Sequence, residues 1–252
     1  MKNQVKSMEN GVANEQLNFN HGLKDGLPIG LGYLSVSFAF GVSASLLGLP
    51  FFMSVLISMT NLTSAGQLAG LNIIVALGSI VEMILTQLVI NARYFLMSIT
   101  LTQKLDDSFS FPHRLFCSAF VTDEIFAVAS SKKSFGRNYF YGLVVLPYVG
   151  WAVGTLLGSL AGSILPEFIS NALGIALYAM FIAIIIPPSA TSKGVFATVA
   201  LASAISCLLY FVPLFDGVST GISIIISALI SALIMAFICP VNTQEQNEQG
   251  GN

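Results

Sequence analysis

The sequence predicts an all-α, polytopic transmembrane protein with about six to eight helical spans. Its 252 residues are 55% hydrophobic and only 9% charged, whereas about 25% of residues are charged in a typical soluble domain. The mean hydropathy is +0.82. Between Arg137 and Glu245 only three residues are charged, and they separate four long uncharged stretches. This composition leaves too little polar surface to cover a water-soluble fold. The net charge of −2 gives no indication of a nucleic-acid partner.

The chain is predicted to hold one membrane domain between two polar tails. Residues 1–22 are rich in Asn, Gln and Glu and are predicted to form a disordered cytoplasmic tail; residues 241–252 are predicted to form another. The transmembrane transporter domain is expected over residues 23–240. Its first helix is predicted at about Leu27–Leu47, with Pro28 in the first turn.

The following elements are predicted from apolar segments and their interruptions. Phe51–Leu77 is apolar but is interrupted by the polar and small residues Asn61–Gln67, which predicts a broken second helix. A third helix is expected at about Ser79–Thr102, and a short apolar segment at Leu115–Ser130. The four uncharged stretches each exceed the roughly 20 residues that a span requires, and they predict the last four helices at 138–166, 168–192, 194–215 and 217–244.

The Lys and Arg distribution leaves two topologies open. With eight crossings, Lys104 and Arg114 fall outside the cell and the other loop cations fall inside. If the broken helix and Leu115–Ser130 enter the membrane without crossing it, six spans remain and every loop cation falls inside. The charge bias favours six spans, whereas the length of Phe51–Leu77 favours eight. Both models place both termini in the cytoplasm, and we expect the protein in the plasma membrane.

Two patterns of small residues and prolines indicate helix packing and a possible internal repeat. The dipeptide Leu-Pro occurs at 27–28 and again at 146–147, and each time a run of small residues and a second proline follow. This similarity indicates a possible internal repeat, and many transporters are built from two repeats. Glycine also recurs at every fourth position, which extends the close-packing GxxxG motif. These glycines form a ridge, which predicts close packing either inside the subunit or against a partner subunit. The ridge residues are Gly150, Gly154, Gly158 and Gly162, and Ser37, Gly41 and Ser45 form a similar series in the first helix.

The interruption of the second helix is the first candidate for substrate binding. Ser64, Gly66 and Gln67 combine small residues with a polar side chain at the predicted break. Exposed N–H groups at the start of a half-helix attract a carboxylate, and transporters hold anionic substrate groups in this way. The alternative is an ordinary turn between two helices near the membrane surface.

The third predicted helix has polar residues on two faces. Glu82 and Arg93 lie about 20° apart around the axis but about 16 Å apart along it, so they cannot pair directly. A charge at the centre of a span costs roughly 2.5–3.5 kcal/mol. We therefore expect Asn91 and Arg93 to bind substrate, with Arg93 capturing a carboxylate or holding an acid such as Asp123. The alternative for Arg93 is snorkelling to the membrane interface.

The triplet Thr122, Asp123 and Glu124 lies in the middle of the short apolar segment. Acids within membrane segments often relay protons or bind cations, so these residues are candidates for ion coupling or gating. The alternative is a helix end wetted by cytoplasm. The sequence contains no HExxH, GxSxG or phosphate-binding glycine loop, and no Cys/His spacing indicates a metal site. We expect neither an enzyme nor a cofactor.

The same residues make the chain resemble the AzlC family of branched-chain amino-acid exporters. The matching segments are Gly26–Gly30, Gly48-Leu49, Ser64–Gln67, Asn91–Tyr94 and Thr122–Ala127; the chain departs from the family pattern at Ala92 and Tyr94. The resemblance implies secondary active export of hydrophobic amino acids and a small AzlD-like membrane partner of about four helices. The alternatives are a non-transporting membrane scaffold or sensor and, more remotely, an intramembrane hydrolase.

Overall fold

A computed structural model describes residues 17–162, 164–215 and 217–238. Within these ranges the chain is helical and contains no strand, only one isolated bridge between Leu105 and Phe135. A short 3₁₀ helix occupies Pro213–Phe215. The helices in chain order are α1 (Phe19–Leu46), α2 (Phe51–Thr60), α3 (Ser64–Val75), α4 (Ile80–Thr102), α5 (Phe111–Ser118), α6 (Asp123–Ser130), α7 (Arg137–Gly162), α8 (Glu167–Thr191), α9 (Lys193–Phe211) and α10 (Thr220–Ile238).

The predicted membrane fold is confirmed. Each of the four uncharged stretches contains one long helix, α7 to α10. The predicted third helix is α4, and the predicted break in the second helix is the three-residue turn between α2 and α3. Among the described residues, α1, α4, α7, α9 and α10 are long and apolar enough to cross a membrane, while α2 and α3 are apolar but shorter.

The first helix begins earlier than predicted. It starts at Phe19, so Pro28 lies inside it and not in its first turn. The reason is the side chain of Asn18, whose Oδ1 accepts a hydrogen bond from the His21 backbone N–H at 3.1 Å and caps the helix there. The other predicted tail residues, 1–16 and 241–252, lie outside the described residues.

The segment Leu115–Ser130 is two helices, and the prediction of one segment with the acids in its middle is wrong. The chain turns after α5, and Thr122 becomes the N-cap of α6. Its Oγ1 accepts a hydrogen bond from Ile125 N–H at 3.4 Å. Asp123 and Glu124 therefore occupy the first turn of α6, where the helix dipole favours negative charge.

The described residues form two compact units. The first comprises residues 17–71, 90–162 and 164–177, and the second comprises residues 72–89, 178–215 and 217–238. In the first unit α1 and α7 pack side by side in the same direction, because Gly22, Gly30 and Gly41 of α1 contact successively later residues of α7.

The glycine ridge of α7 holds this helix pair together. A Cβ on Gly158 would overlap the backbone oxygen of Phe38, and a Cβ on Gly162 would lie 2.7 Å from the Cβ of Ser45. All four ridge glycines are buried. The ridge is therefore covered by α1 within the subunit, and it is not the surface that meets a partner. Pro28 and Pro147, which introduced the possible repeat, occupy corresponding places in the two parallel helices.

Candidate functional site

The turn that separates α2 from α3 is stabilised by its own side chains. Thr63 lies immediately before α3, and its Oγ1 accepts a hydrogen bond from Gly66 N–H at 3.4 Å. The Thr63 carbonyl oxygen accepts from Gln67 N–H at 2.8 Å. Ser64 opens the helix and is half-buried. The N–H group of Gly66, predicted to receive a substrate carboxylate, is thus used to cap the half-helix.

Gln67 ties the two half-helices to α7. Its side chain is fully buried. Nε2 donates to Ser58 Oγ on α2 at 2.7 Å, and Oε1 accepts from Trp151 Nε1 on α7 at 3.0 Å. Ser58 Oγ is also 2.6 Å from Thr155 Oγ1. Both ends of the Gln67 amide are engaged by protein, so this residue fixes the shape of the break.

Arg93 pairs with Asp123. Arg93 Nη1 on α4 lies 2.7 Å from Asp123 Oδ2 in the first turn of α6. The side chains are 42% and 35% exposed, so the protein does not fully cover the pair. The guanidinium also lies over the Tyr94 ring, 5.1 Å from its centroid. The structure therefore brings together two residues that the sequence placed in different roles, and it matches the option that Arg93 holds this acid.

Tyr33 connects α1 to the other two residues of the triplet. Its oxygen lies 2.5 Å from Glu124 Oε2 and 2.6 Å from Thr122 Oγ1. A phenol has one proton and a carboxylate only accepts, so Tyr33 donates to Glu124 and accepts from the Thr122 hydroxyl. Tyr33 is 7% exposed, whereas Glu124 is exposed. A buried tyrosine therefore holds one edge of a carboxylate whose remainder faces outward.

Trp151 joins these two sets of hydrogen bonds. The Tyr33 ring packs edge-on against the indole with centroids 4.9 Å apart and planes at 68°, a favourable aromatic geometry. The result is one continuous group in the first unit, which we call the polar cluster: Tyr33, Ser58, Gln67, Arg93, Thr122, Asp123, Glu124, Trp151 and Thr155.

Sequence reasoning missed Tyr33 and Trp151. Trp151 could have been identified from the sequence, because it is the single tryptophan of the chain and a buried indole N–H requires an acceptor. Asn91, predicted to bind substrate, is half-buried on α4; the hydrogen bonds of the polar cluster do not include it. No group of three or more His, Cys, Asp or Glu suited to a metal ion occurs in the part of the chain that the structure describes.

An apolar cavity lies in the same unit. Its empty volume is about 400 Å³, including the part open to solvent. Ser98 and Leu101 on α4 and Val121 before α6 line it on one side. The remaining lining includes Phe109, Cys117, Phe135, Phe140 and the exposed Arg114. The cavity thus lies between the end of α4, α5 and the loops that follow them, and its lining includes Val121, two positions before Asp123.

Comparisons with known proteins identify the chain's relatives. The family model described as AzlC protein matches residues 28–165, which include the whole polar cluster. The inner membrane protein YgaZ of Escherichia coli K12 is 28% identical over 201 residues, covering 77% of this chain and 82% of YgaZ. An uncharacterized membrane protein of Archaeoglobus fulgidus is 32% identical over 172 residues, covering 67% and 75% of the two chains. No solved structure matches the chain.

Proposed function

Because the chain belongs to the AzlC family, a family of membrane transporters, we propose that it is a secondary active exporter of branched-chain or other hydrophobic amino acids. It acts in the plasma membrane as the large subunit of a two-component system with a small AzlD-like membrane protein, and both termini are cytoplasmic. The observation that carries this proposal is the partly exposed Arg93–Asp123 ion pair, placed where a helix restarts in an otherwise apolar chain.

The ion pair suits a zwitterionic substrate. An amino acid carries a carboxylate and an ammonium close together, which are the counterparts of the Arg93 guanidinium and the Asp123 carboxylate. Insertion of the substrate would exchange one ion pair for two, with the guanidinium holding the carboxylate through paired N–H groups. A charge pair between mobile, partly exposed side chains contributes only about 1 kcal/mol or less, so opening it costs little.

The neighbouring cavity suits the side chain of such a substrate. It is lined mainly by apolar groups; Ser98 lies on α4, which carries Arg93, and Val121 lies two positions before Asp123. Binding sites for small molecules are typically apolar hollows with a few fixed polar groups. We place the branched side chain there. Gln67 and Gly66 then act by fixing the broken helix, and Ser64 and Asn91 stay candidates for direct contact with the substrate.

Asp123, Glu124 and Thr122 are proposed to couple transport to an ion or to gate the path. Burial disfavours a charged carboxylate, whereas Arg93 favours it, so the charge on Asp123 depends on whether Arg93 is engaged by Asp123 or by substrate. Tyr33 and Thr122 couple the position of Glu124 to α1. A change at the ion pair can therefore reach α1 through adjacent residues of α6.

Efflux of leucine or valine from cells expressing both subunits tests the proposal. Arg93→Lys keeps the charge but loses the planar fork, so we expect most efflux to be lost at matched protein levels. Arg137→Lys is the matched control, because Arg137 is exposed and its Nη1 lies 3.4 Å from the exposed His113 Nε2. Wild-type efflux in Arg93→Lys would overturn the site. Absence of efflux from a folded, assembled wild type would favour a scaffold or sensor.

A further inference from the structure

Glu82 is a buried acid without a cationic partner among the described residues. It lies in the first turn of α4, in the second unit, and is 8% exposed. The other charged side chain in the described part of this unit is Lys193, and the ion pairs of the described residues do not involve either one. Asp216 lies outside the described residues. A buried carboxylate is costly unless it is hydrogen-bonded and neutralised.

Capping of α4 does not explain the hydrogen bond that the Glu82 carboxylate makes. Ser79 and Glu82 have the spacing of a capping box, and Ser79 Oγ accepts from Glu82 N–H at 3.1 Å. In a capping box the Glu side chain returns to the N-cap N–H. Here Glu82 Oε1 instead accepts from Gly221 N–H in the first turn of α10 at 3.0 Å. Oε1 of the carboxylate is therefore bonded to another helix, α10, and not to the N-cap of its own helix.

Two glycines make room for this carboxylate. A Cβ on Gly221 would lie 2.6 Å from Oε1 of Glu82, and a Cβ on Gly78 would lie 2.9 Å from Oε2. Real Cβ atoms do not approach other atoms so closely, so any larger residue at either position would displace the carboxylate. The backbone on both sides is thus shaped around the Glu82 side chain.

Two further oxygen atoms lie close to the positions that a Cβ would take on Gly221 and Gly78. Thr86 Oγ1 lies 2.7 Å from the Gly221 Cβ position, and the Ile73 carbonyl oxygen in the last turn of α3 lies 3.2 Å from the Gly78 Cβ position. Thr86 is fully buried, and its hydroxyl has no hydrogen-bond partner among the described residues. Hydroxyl, carboxylate and carbonyl oxygens collected around one charge are ligands for a hard cation.

We propose that Glu82, Thr86 and the Ile73 carbonyl bind a small monovalent cation, either a proton on the carboxylate or a sodium ion between the oxygens. In either form the cation neutralises the buried charge. Among the described residues, the end of α3, the turn at 76–79 and the start of α10 bring no other titratable side chain to the carboxylate. That this cation drives export rests on the proposed function, whereas its binding does not.

Chemical labelling of the purified full-length protein in detergent tests the site. The O–H of a protonated, water-shielded carboxyl group adds across a C=N bond of dicyclohexylcarbodiimide to give an O-acylisourea, which rearranges to a stable N-acylurea. Peptide mass spectrometry then locates the adduct. We expect an adduct on Glu82 that declines as pH rises, because only the protonated carboxyl group reacts. Glu82→Gln serves as the blank. Glu124→Gln is the matched control and should leave the Glu82 adduct unchanged.

Salts distinguish the two cations. If sodium binds, NaCl should protect Glu82 saturably at fixed pH, while choline chloride at the same ionic strength should not. If a proton alone binds, the two salts should act alike. In Thr86→Val we expect cation affinity, measured as the shift in the pH or sodium midpoint, to fall about tenfold. Protection by NaCl alone supports a sodium ion at Glu82, and equal behaviour of the two salts supports a proton there.

Absence of a Glu82 adduct at every pH in folded protein, or an adduct insensitive to pH and sodium, would overturn it. An unchanged midpoint in Thr86→Val would remove Thr86 from the site and with it the three-oxygen arrangement. The labelling requires no transport, so it fails or succeeds independently of the efflux assay. Efflux in the absence of a Glu82 adduct would be consistent with the proposed exporter but would rule out the cation site at Glu82.

Discussion

Buried side chains of the polar cluster in the first unit bond to one another, whereas several buried hydroxyls of the second unit have no hydrogen-bond partner among the described residues. In the polar cluster, Gln67 uses both amide atoms and Tyr33 both donates and accepts. In the second unit, the hydroxyls of Thr86, Ser227 and Ser231 are buried without a hydrogen-bond partner in the described ranges. The difference separates two uses of polarity in a membrane protein, because satisfied networks fix a shape, whereas a buried group left without a protein partner is open to bond to water, an ion or a ligand.

The two units also differ in what fills the space beside their glycines. Gly158 in the first unit lies against the backbone oxygen of Phe38. Gly221 in the second unit lies against side-chain atoms of Glu82 and Thr86. A backbone atom moves only with its helix, while a side chain can rotate away. The same substitution at the two positions therefore distinguishes tight helix packing from a polar site.

The largest effect on the stability of the fold is expected from Gly158→Ala. The added Cβ would force α1 and α7 apart, and overpacking of this kind costs about 3 kcal/mol or more when backbone must move. We expect a large fall in the yield of folded protein and in Tm in detergent. Gly221→Ala should keep the fold while altering the Glu82 adduct. Equal loss of fold in both variants would remove the distinction between the units.

Gly32 provides the matched control for this comparison. It lies on α1, and a Cβ there would meet nothing within 4 Å. Alanine favours a helix interior over glycine by about 1 kcal/mol. Gly32→Ala should therefore leave Tm unchanged or slightly raised, and a fall as large as that of Gly158→Ala would point to a general intolerance of the helix to alanine.

Loss of coupled transport is expected from neutralising the acids of α6. If Asp123 or Glu124 carries a coupling proton, neutralising it should abolish efflux driven by a gradient, because Asn and Gln cannot change charge during a transport cycle. Glu124→Gln should retain exchange of labelled leucine across the membrane, whereas Asp123→Asn should weaken exchange as well, because Asp123 is also proposed to hold the substrate ammonium. Simultaneous loss of efflux and exchange would assign the residue to substrate contact or structure, and full efflux in both variants would remove them from coupling.

Much of the fold could be predicted from the sequence because lipid imposes a simple rule. A span must be long, apolar and uncharged, and the loop charges mark the ends of α7 to α10 closely. The start of α1 was missed because Asn18 caps a polar first turn, a local hydrogen bond that hydropathy does not represent. The split between α5 and α6 was missed because both halves are short and apolar.

The site could be predicted only in part. Arg93, Asp123 and Gln67 were identified because a charged or amide side chain in an apolar segment is costly and therefore requires a role. Their partners were not, because the contact between Tyr33 and Glu124 spans 91 positions of the chain and only the packing of α1 brings them together. Glu82 was noted as a polar residue, but its link to Gly221 depends on a contact between distant segments.

Gln67→Ala is expected to cost about 2–4 kcal/mol in unfolding free energy, because it leaves the buried Trp151 N–H without its acceptor and opens a cavity. Transport should fall in proportion to folded protein. Gln103→Ala is the matched control, since Gln103 is exposed after the end of α4. If Gln67→Ala lost efflux while keeping wild-type Tm, Gln67 would contact the substrate directly, contrary to the fixed break that its hydrogen bonds indicate.

The smallest effect is expected from removing one hydroxyl in each unit. Tyr33→Phe keeps the ring against Trp151 but takes a partner from both Thr122 and Glu124, and Glu124 can turn to water because it is exposed. The expected cost is about 1 kcal/mol. Thr86→Val removes a hydroxyl that has no partner among the described residues, so the fold should be as stable or more stable by a similar amount, because no buried polar group is left unsatisfied. Tm measured in detergent without sodium, at one pH, should therefore fall in the first variant and hold or rise in the second. A matching fall in Thr86→Val would mean that its hydroxyl already supports the fold, and the contrast between a satisfied and an unsatisfied unit would be lost.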